Sequence, residues 1–268
     1  MENRNLSLLT SFLLLAMAFA CSPKPERNLV WSDEFETAGL PDTTKWNYDL
    51  GDGCPTACGW GNNEAEYYTK NPNNARVENG ALILEAHHDS LESKAYTSSR
   101  LVTKHKGDWL YGRIEVKAKL PKGKGTWPAI WMLSTDWKYG GWPASGEIDI
   151  MEHVGFDPGI IHGTIHTESY NHIKKTQKEG KVTISDAQES FHVYAINWTP
   201  TQIDFIADEQ LYHSVSRGAN DTSNEWPFDQ KFHLILNIAV GGNWGAMQGI
   251  DNSIWPQRME VDYVRVYQ

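Results

Sequence analysis

Apolar and polar residues alternate with period two along most of the chain from about residue 28 onwards. Gly112–Leu120 is the clearest case. Ile114, Val116, Ala118 and Leu120 form one face and the charged residues between them the other, which predicts a half-buried strand. Phe232–Val240 sets Phe232, Leu234, Leu236, Ile238 and Val240 on one face in the same way. Similar patterning predicts strands over 81–87, 99–104, 128–133, 146–153, 162–167, 192–198, 202–207, 211–215 and 260–267, with Asp208-Glu209-Gln210 as the turn of a hairpin. Gly and Pro punctuate the intervals, and hardly any stretch has a helical period. Short strands between turns predict an all-β fold, a two-sheet β-sandwich (jelly roll) whose bent sheets leave a concave substrate-binding cleft.

One predicted strand breaks the apolar pattern with acids. Gly146-Glu147-Ile148-Asp149-Ile150-Met151-Glu152 carries three carboxylates among residues that belong in a core. Alternation points Glu147 and Asp149 the same way and sends Glu152 to the opposite face. One β-bulge brings Glu152 back to the face of the other two. Like charges crowded on one surface push their pKa values apart, the condition acid–base chemistry needs. Burial of three carboxylates between the sheets would cost several kcal/mol each, so the acids are expected on the concave face, exposed. A solvated edge strand or a calcium site are the plainer readings of the same run.

Composition narrows the partners. The 268 residues suffice for one full core, assigned to 28–268. Twelve tryptophans are many for this length, and rings that do not fit a core line binding surfaces. Net charge is −10 and no dense Lys/Arg cluster occurs, which argues against nucleic acid. The N-terminus has the form of an export signal over residues 1–20, too short in its apolar part to span a bilayer. Ala18-Phe19-Ala20 suits an ordinary signal peptidase, whereas Cys21 behind it suits a bacterial lipoprotein signal, with 21–27 as the tether of a lipidated Cys21. That reading leaves Cys54 and Cys58, four apart in a Gly/Pro loop, as a disulfide pair; metal binding by two cysteines with no nearby histidine is the alternative. The expected protein is exported, held to a membrane only by its lipid, or else simply secreted.

Several separated motifs carry a family resemblance. Trp142-Pro-x-x-Gly146-Glu147-Ile-Asp149-Ile-Met-Glu152-His153 resembles the catalytic signature of glycoside hydrolase family 16 in its bulged form. Gly59-Trp60-Gly61-Asn62-Asn63-Glu64-Ala-Glu-Tyr67-Tyr68-Thr69 is similar to its laminarinase branch, the endo-β-1,3-glucanases, as are Trp127-Pro-Ala-Ile-Trp131-Met132, Ala239-Val-Gly-Gly-Asn-Trp244 and Asp262-Tyr-Val-Arg-Val-Tyr267. The resemblance implies an endo-acting, retaining hydrolase of β-1,3-glucan. Glu147 is then the nucleophile, Glu152 the general acid and base, and Asp149 a hydrogen-bonding partner of one glutamate. Retention agrees with two acids close together on one strand, since retaining enzymes hold their carboxyls roughly 5–5.5 Å apart.

The same resemblance implies that Trp131 and Trp142 stack on sugar rings, with Trp127 at greater risk of being core. It assigns Asn62 and Glu64 to sugar hydroxyls, Arg100 and Trp244 to the groove, and His166 to the leaving-group side, although alternation leaves His162 on that face too. It implies no cofactor for catalysis and a structural Ca2+ held by the Asp262 carboxylate with backbone oxygens near Glu36 and Gly80. A monomer is expected. The rival functions are a non-catalytic β-glucan-binding protein, which an intact acid set opposes, and a family member acting on mixed-linkage glucan or a galactan.

Overall fold

The computed structural model describes residues 27–268; the expected leader 1–20, the expected lipidation at Cys21 and the expected Ser22–Glu26 tether lie outside the described residues. Two antiparallel sheets stack face to face. One runs, in spatial order, Gln210–Ser216, Gln202–Ala207, His192–Trp198, Gly112–Lys119, Gln257–Tyr267, Ala81–Ala86 and Ala75–Glu78, with Leu29–Asp33 also paired to Gln257–Tyr267. The other runs Lys178–Thr183, Ile160–His166, Glu147–Glu152, Thr126–Ser134, Phe232–Val240, Arg100–Val102 and Asn47–Asp49, with Asp108–Trp109 added to Phe232–Val240. A short parallel pair, Glu66–Tyr68 with Tyr96–Ser98, flanks them. The all-β sandwich read from the alternation is the fold observed. Among the described residues no helix is long and apolar enough to cross a membrane.

The core lies between the sheets and is built from the faces the alternation marked. Ile114, Val116 and Ala118 from one sheet meet Phe232, Leu234, Leu236, Ile238 and Val240 from the other, all essentially buried. Burial of each large apolar side chain contributes about 1.5–3 kcal/mol, so one misplaced register would cost more than a domain's net stability. The 202–216 hairpin turns on two residues, Asp208 and Glu209, both at positive φ (46° and 66°), the backbone that matches strand twist in a two-residue turn.

Two of the smaller elements escape the apolar pattern. Lys178–Thr183 is an edge strand with hardly a buried residue, and Leu29–Asp33 exposes its leucine and valine. Their backbones are recruited by neighbours already in place, at Thr164↔Glu179 and Ser32↔Arg265. Cys54 and Cys58 form the expected disulfide in the loop that follows Asn47–Asp49.

Candidate active site

The acid strand carries the bulge its sequence needs. Trp131 pairs with Asp149 but Ile130 with Met151, and on the other side Asp149 pairs with Thr164 and Glu152 with His162. Three residues therefore span what two span on each neighbour. Ile150 and Met151 both turn into the core, 1% and 0% exposed, and so anchor the irregularity from below. Gly146 leads into the strand at φ 82°, where a Cβ would stand 2.8 Å from the Pro227 ring. Glu147, Asp149 and Glu152 consequently share the outer face of their sheet.

That face is the floor of a cleft of about 750 Å³. A second hollow, about 580 Å³, lies on the other sheet among ion-paired Lys119, Glu260, Lys122 and Glu189, far from the acids. The main cleft collects all eight residues expected to bind substrate: Asn62, Glu64, Arg100, Trp127, Trp131, Trp142, His166 and Trp244. Trp127 is not core. Its indole N–H donates to Glu152 Oε1 at 3.0 Å, as Trp142 donates to Glu147 Oε2 at 2.8 Å. Each glutamate is thus held by a tryptophan, a role that residue type alone did not suggest. Trp142 is steadied in its loop by Ser145 Oγ, which donates to the Gly140 carbonyl at 2.6 Å.

Two expectations change on contact with the geometry, and the register adds a detail for the histidines. The acids are not exposed: Asp149 is 2% accessible and the two glutamates are only partly so. The sheet face is walled by rings, which cover much of it. His166 pairs in register with Glu147 and its Nε2 lies 3.3 Å from Asp149 Oδ2, whereas the position opposite Glu152 belongs to His162. The bulge shifts the register by one residue beyond Asp149 and so sets His162 opposite Glu152, while both histidines line the cleft. Glu64 is 6% exposed and turned inward, accepting the Tyr68 hydroxyl at 3.2 Å.

Burial drives the acid chemistry. It lifts Glu147 and Asp149 well above the ordinary carboxyl range, Glu147 further by the charge of Asp149 and Asp149 further by that of Glu152. It lifts Glu152 as well, against the pull of His166 and of the Trp127 N–H. The adjoining Glu147 carboxyl works the other way on Asp149, lowering it. Three mutually repelling, largely buried carboxyls cannot all ionise, so the cluster keeps a proton to give. Glu147, Asp149 and His166 also present ligand atoms within 4.8 Å of one another, a set able to hold a divalent ion.

Contacts not anticipated, some through residues not anticipated, complete the walls. The Arg100 guanidinium lies 4.4 Å from the Trp60 ring and 4.8 Å from Trp131, and its Nε is 3.1 Å from Asp49. Asn237 accepts the Trp131 indole N–H at 2.7 Å. Trp244 packs edge-on against Trp127 and His162. His172 packs against both Trp142 and His166. Trp60 is visible in the motifs and Asn237 within the Phe232–Val240 strand, but only the fold tells that they face the cleft.

The family model for glycosyl hydrolases family 16 matches residues 62–265. A beta-glucanase of Rhodothermus marinus is 50% identical over 97% of this chain and 94% of its own length. The crystal structure of the laminarinase from Rhodothermus marinus superposes with a TM-score of 0.87 at 52% identity, covering 91% of this chain and 98% of that one. A non-specific endo-β-1,3(4)-glucanase of the same family, solved with a glucan oligosaccharide at its active site, gives 0.87 at 46% identity over 91% and 96% of the two chains. The bulged acid strand, the aromatic cleft above it and these matches place the chain in glycosyl hydrolase family 16.

Proposed function

We propose that the protein is an endo-acting, retaining hydrolase of laminarin-type β-1,3-glucan. The observation that carries this reading is the bulge, which sets Glu147 and Glu152 on one face of one strand, each fixed by a tryptophan N–H. Glu147 attacks the anomeric carbon, and Glu152 gives its proton to the departing glycosidic oxygen. The glycosyl-enzyme ester then yields to a water that Glu152 deprotonates, which returns both carboxyls to their starting states. Asp149 and its bond to Glu147 set which carboxyl keeps the proton in each half-reaction. An open cleft with aromatic walls suits internal cleavage of a chain. Proton NMR of the earliest products from laminarin tests the mechanism. A β-anomer formed first is the expected result, and an α-anomer would overturn Glu147 as nucleophile.

Mixed-linkage glucan is a second substrate within reach, favoured by the likeness to an endo-β-1,3(4)-glucanase. Product sizing on laminarin, lichenan, agarose and carrageenan separates these readings from a galactanase, and inactivity on all four with retained glucan binding would mean a binding protein.

Two proposals concern the rest of the molecule. Cys21 carries lipid and tethers a monomeric catalytic domain to a membrane; Cys21→Ser is expected to move active enzyme from the detergent to the aqueous phase. A structural Ca2+ would sit where Asp262 meets the segments of Glu36 and Gly80. Strand register brings those segments to one end of the sheet, at Asp33↔Val264 and Leu82↔Val261. The Asp262 carboxylate now pairs with Lys117 at 2.8 Å, a partner the ion would replace. Calorimetry of Ca2+ binding, wild type against Asp262→Ala, decides it.

A further inference from the structure

Two carboxyls that the mechanism does not use lie buried behind the wall of the same cleft. Glu64 is 6% exposed and Glu66, at the start of the Glu66–Tyr68 strand, is fully buried. Glu66 Oε2 accepts the Val240 backbone N–H at 2.6 Å. Glu64 Oε2 accepts the Tyr68 hydroxyl at 3.2 Å. The Tyr68 oxygen itself accepts Asn237 Nδ2 at 3.0 Å, and Asn237 Oδ1 accepts the Trp131 indole N–H at 2.7 Å.

An indole N–H only donates, so the direction of every bond in this line is fixed. Trp131 gives to Asn237, Asn237 to Tyr68, and Tyr68 to Glu64. The line ends on Glu64 as acceptor; burial raises its carboxyl, while the Arg100 charge and the hydrogen bonds it receives favour the carboxylate form there. Its charge lies near the Arg100 guanidinium, which packs over Trp60 and Trp131. Glu66 has only one oxygen engaged by the backbone, and a second buried carboxylate beside the first would be expelled or protonated. Burial first, and the Glu64 charge second, hold the Glu66 carboxyl well above the ordinary range.

We propose that Glu66 is a positioning residue: it keeps a proton at neutral pH, donates it to Glu64, and through Tyr68 and Asn237 holds Trp131 and Arg100 in the orientation that receives a sugar ring. The assignment rests on the glucan reading of the cleft. The charged and titratable groups around the pair are Arg100, Tyr68 and Lys94, whose Nζ donates to the Glu64 carbonyl at 2.6 Å. The Glu64 charge also reaches Glu152 and favours retention of its proton. In alkaline solution Glu66 ionises, the two carboxylates repel, and the Trp131 platform loses its support.

The test is glucan-oligosaccharide affinity, by calorimetry, in a Glu147→Gln background that cannot turn substrate over. From mildly acidic to alkaline buffer the background protein is expected to weaken by about tenfold, the worth of roughly one hydrogen bond. Added Glu66→Gln, whose amide still donates to Glu64 and accepts from Val240, is expected to hold its affinity constant across that range. Glu66→Leu, with no donor, is expected to bind weakly throughout. Infrared spectra supply a readout independent of sugar: Glu66→Gln should remove one protonated-carboxyl band at neutral pH. Equal weakening with and without Glu66→Gln, or an unchanged band, overturns the proposal. Failure of the glucan reading itself would show as no binding by any form, and the band then decides the proton alone.

Discussion

One carboxyl cluster lies on the cleft floor and another behind its wall, and they differ in who satisfies them. Glu147 and Glu152 take indole N–H donors that stand in the cleft wall and leave a side of each carboxyl open to the cavity. Glu66 takes a backbone N–H and faces Glu64, with no accessible surface at all. Both clusters are lifted by burial, yet only the first can exchange its proton with a ligand. A raised pKa is therefore not itself a sign of catalysis. Access to the reacting space separates an acid that turns over from an acid that props a wall.

The comparison breaks hardest at the first cluster. Glu152→Ala is expected to lose about 10²–10⁴-fold in rate, and Glu147→Ala at least as much. Azide should rescue Glu152→Ala with a β-glycosyl azide on an activated substrate, and should give the α-product with Glu147→Ala; exchanged anomers would exchange the roles. Next come the donors. Trp127→Phe and Trp142→Phe each remove a hydrogen bond to an ionisable group, about 1.5–3 kcal/mol, so kcat/KM should fall about 10–100-fold. Trp127→Phe should act on the acid limb that Glu152 controls, and Trp142→Phe on formation of the glycosyl-enzyme. A pre-steady-state burst assay distinguishes them.

Stability carries the smallest effects and their sign follows from linkage. A carboxyl raised in the folded state favours folding fully below its unfolded value, 4.5 for Glu66 and 3.8 for Asp149, and that contribution is lost as pH rises through the folded value. The thermal midpoint should thus fall from mildly acidic towards alkaline buffer. Asp149→Asn should flatten that slope and be the more stable protein at neutral pH, by about 1.4 kcal/mol for every tenfold by which folding tightens the hold of Asp149 on its proton. His153, buried and pushed down to about 4, works oppositely, withdrawing stability as pH falls below 6.5. Melting curves across pH on wild type, Asp149→Asn and His153→Gln measure all three slopes.

How much of this was legible depends on whether side-chain pattern or tertiary contact decides the outcome. The long strands were legible, because Ile114-Val116-Ala118 and Phe232 to Val240 each mark a core face by alternation alone. The bulge was legible because Ile150-Met151 doubles the apolar step between acids. Lys178–Thr183 was not, since its exposed residues carry no apolar period and its neighbour's edge recruits it. The common side of His162 and His166 was legible from their spacing, but the placing of His162 opposite Glu152 follows from the bulge in the neighbouring strand. Glu66 reads as one more charge in a polar loop; only the approach of Val240 and Glu64 from elsewhere makes it a buried acid.

The Phe232–Val240 strand holds one further consequence. Its even positions belong to the core, while Asn237 and Ala239, between them, line the cleft. Folding instructions and recognition instructions are thus interleaved on a single ribbon without sharing a letter. A lineage can rewrite the cleft-facing letters, and with them the sugar chain it prefers, while the message that folds the sandwich passes on unedited.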